Sequence, residues 1–69
     1  MTEVKKRSVD IAGHRTSVSI EAEFWDALAA IAARRAISVS ALIADIDNAR
    51  KGNLSSAIRV YVLTEIQKS

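Results

Sequence analysis

The sequence predicts an α+β fold, an N-terminal strand or hairpin followed by three helices, that associates with a second copy of itself. Three observations carry that prediction. Residues 8–20 alternate apolar and polar with period two, while three later segments place apolar residues at helical spacing. The third observation is the lack of staples in one small domain. A chain below about 70–80 residues rarely draws more than ~3–5 kcal/mol from one core, so it leans on disulfides, a metal or a partner subunit. These 69 residues include no cysteine, and His14 is the only histidine. Neither a disulfide nor a thiolate or multi-histidine metal site can form within one chain. Hydrophobic residues nevertheless make up 49% of the chain, which leaves self-association as the route to stability and predicts an obligate oligomer.

Residues 1–6 read as a flexible basic arm. Beyond them, Val9 and Ile11 are apolar at odd positions, and Thr16, Val18 and Ile20 follow at even ones. A continuous strand cannot put both sets on one face, because its side chains alternate strictly. Gly13 offers a solution. A two-residue turn at Gly13-His14, glycine first, is the type II′ pattern. It sets Ile11 opposite Thr16 and Val9 opposite Val18 on an apolar face, and leaves Ser8, Asp10, Arg15, Ser17 and Ser19 on the other.

The first helix is expected over residues 21–35. Glu21, Glu23 and Asp26 open it and Arg34 and Arg35 close it, a charge order that complements the helix dipole. Phe24, Leu28, Ile31 and Arg35 recur at i, i+4, i+7 and i+11, with Trp25, Ala29 and Ala32 beside them. Ala27, Ala29, Ala30, Ala32 and Ala33 favour the helix and let another helix approach closely. Ala36-Ile37 is a break, and Ser38 is a good N-cap for a second helix over 39–50, with Val39, Leu42, Ile43 and Ile46 on one face. Gly52 stops that helix and Asn53 caps a third over 54–67. Eight of the thirteen positions from Leu54 to Ile66 are apolar, so the third helix should pack on two sides and enlarge a dimer core.

Ten Lys/Arg against eight Asp/Glu leave a net charge of +2, too weak to name nucleic acid as a partner by itself. The distribution is uneven. Residues 1–19 carry +2, residues 20–49 carry −3 and residues 50–69 carry +3, so the ends are basic and the middle acidic. There is no run of 18 apolar residues to span a membrane, and MTEVKKRSVD lacks the apolar stretch of a secretory signal, so a cytoplasmic location is expected. Ser17, His14 and Asp10 make a catalytic triad only on paper, because no nucleophile-elbow motif accompanies them. Asp45 and Asp47 would point about 200° apart on a helix, so they are not a carboxylate pair. With two glycines in the chain there is no phosphate-cradling loop. No enzyme activity, metal or cofactor is expected.

The stretch from Arg15 to Arg50 pairs the strand segment HRTSVSI with two helices, the second opened by ISVS. It resembles the ribbon-helix-helix superfamily of Arc/MetJ/CopG-type repressors. The longer pattern KRSVDIAGHRTSVSIEAEFWDALAAIA, ISVSALIADID and NLSSAIRVYVL is similar to a family of short bacterial ribbon-helix-helix proteins with an extra C-terminal helix, over about residues 6–64. The resemblance implies an intertwined homodimer, in which two chains pair their strands antiparallel above four helices. Tandem binding, hence a tetramer, is common in the superfamily. A shared dimer core would draw on Val18, Ile20, Phe24, Trp25, Leu28, Leu42, Ile46, Ile58 and Tyr61.

The same resemblance implies a DNA-binding transcriptional regulator, a repressor on a two-fold symmetric operator. Arg15, Ser17 and Ser19 would face base edges in the major groove, with Arg15 reaching guanine O6/N7 and the serines several base edges. Ser38, Val39 and Ser40, at the start of the second helix, would offer N–H groups and the helix dipole to a phosphate. Lys5, Lys6 and Arg7 would add attraction that salt screens. A dimer of hairpins would show four strands, wider than a groove that takes two. The alternative is an antitoxin-like interaction module that binds no DNA and holds an acidic protein partner on Arg50, Lys51 and Arg59.

Overall fold

Two strands, β1 (Val4–Ile11) and β2 (His14–Glu21), form an antiparallel hairpin that leads into α1 (Ala22–Arg34), α2 (Val39–Ala49) and α3 (Leu54–Lys68). This arrangement comes from a computed structural model that describes residues 3–11, 13–49 and 52–68. Residues 1–2 of the expected arm, residue 12, Arg50 and Lys51 of the expected basic patch, and residue 69 lie outside the described residues. The layout is the α+β ribbon-helix-helix order that the sequence predicts.

The hairpin differs from expectation in its turn and its register. Ile11 pairs with His14, Val9 with Thr16 and Arg7 with Val18, so the strands connect between Ile11 and His14 and the turn is not Gly13-His14. Gly13 has φ 84°, a left-handed conformation that glycine adopts without a side-chain clash, at the second loop position instead of the first. Moving the turn by one residue shifts every pairing by two. Because side chains alternate with period two, each residue keeps its expected face. The ladder is also longer than expected. Lys5 and Lys6, assigned above to a flexible arm, pair with Ile20 and Ser19 inside β1.

One face of the hairpin carries Val9, Ile11, Val18 and Ile20, all buried against the helices. Beneath them lie Leu28, Ile31 and Ala32 of α1, Leu42, Ile43 and Ile46 of α2, and Ile58 and Val62 of α3. Of the residues expected in a dimer core, Val18, Ile20, Leu28, Leu42, Ile46 and Ile58 are buried within the chain itself, between the hairpin and the three helices. Phe24, Trp25 and Tyr61 are only half-buried at the margin of that core. α3 is apolar on two sides, as its composition requires, but Val60, Leu63 and Ile66 on its outer side are exposed.

The helix ends show how local chemistry sets the path. Ser38 Oγ accepts the Ala41 N–H at 3.0 Å, and Asn53 Oδ1 accepts the Ser56 N–H at 3.0 Å, so both act as N-caps. At the end of α1, the Ile37 N–H bonds Ala32 O at 3.0 Å and the Ala36 N–H bonds Ala33 O at 3.1 Å, a Schellman closure. Its left-handed position is occupied by Ala36, with φ 58°. The closure turns the chain by 102° between α1 and α2, and among the described residues no single helix is long and apolar enough to cross a membrane.

Glycine normally fills that left-handed position, so Ala36→Gly should stabilise the fold by about 1 kcal/mol, read as a rise in the urea midpoint at constant m-value. Leu42→Ala should do the opposite. Leu42 is fully buried, and truncating such a leucine costs about 2–5 kcal/mol through lost transfer energy and the cavity left behind. A loss below 1 kcal/mol in the same titration would mean that this core is loosely packed.

Candidate nucleic-acid interface

The hairpin face turned away from the helices is polar and nearly flat in composition. Along β2 it presents Arg15, Ser17 and Ser19, all exposed, in the alternate positions expected. The register sets Asp10 beside Arg15, Ser8 beside Ser17 and Lys6 beside Ser19. Arg15 Nε lies 3.3 Å from Asp10 Oδ1, with both side chains largely in solvent. An exposed pair of this kind stabilises by only about 0–1 kcal/mol, so a better acceptor can draw Arg15 away from Asp10. His14 shares the opposite face with Ile11, so the hairpin separates it from Ser17 and Asp10, and those three form no triad.

β1 uses its cations differently. Lys5 and Lys6 are exposed, whereas Arg7 is half-buried on the helix side. Its guanidinium carbon sits 4.6 Å from the centre of the Trp25 ring, a cation–π contact. Arg7 Nε is buried and without a hydrogen-bond partner. Arg7 therefore packs over Trp25 and closes the margin of the core. Strand pairing fixes its side chain on the inner face, away from the outward Lys6.

The outer edge of β2 is met by α3. The Ser19 N–H donates to Ser55 Oγ at 3.0 Å, and Arg59 Nη2 donates to Ser19 O at 3.1 Å. Arg59 Nε also donates to Glu21 Oε1 at 3.0 Å, a pair about one-third exposed. The sequence reading missed this clasp and assigned Arg59 to a basic patch for an acidic partner. A signal for it does exist: Ser55 and Arg59 are four apart, so they share one face of a largely apolar helix. The Glu21 carboxyl is held below its ordinary 4.5 by the backbone N–H of its own residue and by the Arg59 guanidinium, with partial desolvation opposing both.

The remaining predicted positions stand apart from this face. Ser38 is exposed and Val39 and Ser40 half-exposed at the start of α2, where the Ser38 hydroxyl oxygen already serves the cap. Arg35 donates from Nη1 to the Tyr61 hydroxyl at 3.0 Å and ties the end of α1 to α3.

With this geometry in view, the family comparison is decisive. The model of the Ribbon-helix-helix domain matches residues 4–66. The chain belongs to the ribbon-helix-helix family. The match takes in β1 and nearly all of α3, so both are part of the ribbon-helix-helix domain here. Domains of this family are generally dimeric and bind DNA. Comparison with curated proteins and with solved structures returned no match.

The Glu21–Arg59 pair gives a pH test. Because the folded carboxyl has a lowered pKa, the unfolded chain takes up its proton first as pH falls. The pair therefore stabilises the fold above the ordinary value of 4.5, and its contribution is lost as pH drops through the folded value. Glu21→Gln should lower Tm at pH 7, and the gap to the wild type should close progressively below 4.5. A gap that stays constant with pH would show that the clasp does not depend on this charge.

Proposed function

We propose that this ribbon-helix-helix protein is a small homodimeric transcriptional regulator, a repressor acting in the cytoplasm, that lays the outward face of its ribbon in the major groove of DNA. The observation that carries this reading is the face itself. Arg15, Ser17 and Ser19 are exposed at alternate positions on the strand, while the opposite face is sealed by the core. Arg15 addresses guanine O6/N7 and the serines donate to or accept from neighbouring base edges. Ser38, Val39 and Ser40 receive a backbone phosphate at the start of α2, where N–H groups and the helix dipole favour an anion. Lys5 and Lys6 strengthen attraction at low salt. A two-fold dimer would read two half-sites of a symmetric operator.

A second reading is favoured by one observation on the other side of the molecule. Val60, Leu63 and Ile66 are between half and two-thirds exposed, next to an open groove of about 370 Å³ between α2 and α3 lined by Ile46, Ala57 and Tyr61. An apolar surface of this kind suits a protein partner, which makes an interaction module the alternative to a repressor.

Binding to random duplex DNA across a salt series separates the two. The repressor reading expects micromolar binding that weakens steeply with salt. On a selected operator, Arg15→Ala should cost about 1–3 kcal/mol and relax preference at one base position. Equal weakening on every sequence would make Arg15 a phosphate contact. No binding even at low salt would leave the interaction module, and sedimentation of the free chain would then show whether it pairs with itself.

A further inference from the structure

We propose that the outward side of α3 is a contact for a second copy of this chain, packed antiparallel so that Val60 of each copy meets Leu63 of the other. The inference does not rest on the DNA-binding reading, and it commits the apolar surface of α3 to one occupant. Ser56, Val60, Leu63 and Gln67 are all exposed. Steps of four, three and four residues separate them, so they form one line along the helix, apolar in the middle and polar at each end. That spacing is the seam by which two helices pack knobs into holes. The contacts that α3 makes within its own chain lie elsewhere around the helix. Ser55 and Arg59 clasp β2, while Ile58 and Val62 enter the core.

Charge narrows the choice of occupant. The charged residues of α3 are Arg59, Glu65 and Lys68, and each is paired, Arg59 with Glu21 and Glu65 with Lys68. The seam itself carries no charge. It therefore offers no cation to an acidic protein, a phosphate or an anionic lipid surface, and no anion to a basic partner. Beside it, the Thr64 hydroxyl donates to Val60 O at 2.8 Å, so covering Thr64 leaves its proton satisfied. On the side toward α2, Val60 borders an open groove lined by Ala49, Gly52 and Ala57. These residues are small, and the distance between packed helices is set by the side chains at the contact, so a second helix can approach closely there. The surface fits another uncharged, apolar helix face.

A second copy supplies that face. A two-fold axis midway between Val60 and Leu63 sets Val60 against the partner's Leu63 twice, and Ser56 against the partner's Gln67 twice. Apolar residues then meet in the middle and polar residues at the rims, and the contact closes on itself, as an isologous interface must. Antiparallel packing also lays the positive end of one helix dipole beside the negative end of the other. The 15 residues of α3 make a helix about 22 Å long, and a seam about 10 Å wide along it is well under the ~800 Å² per partner of a standard interface. Association through it is therefore concentration-dependent. It uses no residue of the hairpin, so it is compatible with the dimeric state of the family.

The test is sedimentation of the full chain over a concentration series, wild type beside Leu63→Glu, with circular dichroism confirming each fold. Leu63 is 52% exposed, so the substitution spares the core. The inference expects Leu63→Glu to move assembly to about tenfold higher concentration, because a carboxylate would have to be buried against the partner's Val60. Identical assembly by the two proteins would overturn it, as would a wild type that stays monomeric throughout the series. Oxidation reads the register. The chain has no cysteine, so a mixture of Val60→Cys and Leu63→Cys chains should form the mixed covalent dimer, told apart by mass, faster than either variant links to itself. Preferential self-linking of each variant would mean parallel packing and overturn the proposal. So would linking no faster than that of Ala30→Cys, on the exposed side of α1. Neither readout uses DNA, so the repressor reading stands or falls separately.

Discussion

Antiparallel pairing between Val4–Ile11 and His14–Glu21 sets the position of everything else in this molecule. A lone strand cannot satisfy its backbone groups, and a hairpin alone is marginal in water. Pairing the strands about a left-handed Gly13 gathers Val9, Ile11, Val18 and Ile20 on one side. Those four side chains are the roof under which α1, α2 and α3 collect. The same alternation sends Lys6, Ser8, Asp10, Arg15, Ser17 and Ser19 to the other side. Core and candidate interface are therefore two faces of one constraint, since neither can move without flipping the other.

The constraint is held at its open edge by α3. A sheet edge with unpaired N–H and C=O groups invites another chain, and proteins blunt such edges by covering them. Here Ser55 and Arg59 do so at Ser19, and Arg59 continues to Glu21, where the strand passes into α1. One helix thereby fixes the end of the hairpin, its junction with α1 and, through Tyr61 and Arg35, the far end of α1. What that helix does not use inward it leaves outward as Val60, Leu63 and Ile66. A chain of this size with such a surface has two distinct regions for contact: a polar ribbon on one side and an apolar helix face on the other.

These features fit the division of labour in a domain that binds DNA. Shape and backbone attraction position such a protein, and a few side chains on a rigid element specify the sequence. The underside of the hairpin is core, and its outward face carries the short Ser8, Ser17 and Ser19 with Arg15 beside Asp10. A net charge of +2 is weakly positive, so any general attraction to a polyanion is modest.

The elements that depend on local chemistry were legible in the sequence. Ser38 and Asn53 mark helix starts because a short side-chain oxygen before an apolar run meets an orphan N–H. The alternation on either side of Gly13 set Arg15, Ser17 and Ser19 on the outward face even though the turn lay one residue away, because a two-residue shift preserves facing. What tertiary structure alone decided are the contacts between distant segments. Arg7 looks like part of a basic run, yet strand pairing carries it over Trp25, 18 positions further along the chain. Arg59 reads as a surface charge until α3 is laid against β2 and finds Ser19 and Glu21. Whether Val18 and Ile20 are buried by a partner or by the chain itself also has no local signature. Hydrophobic periodicity says that a face must be covered, and only the packing of the three helices against it shows what the chain itself supplies.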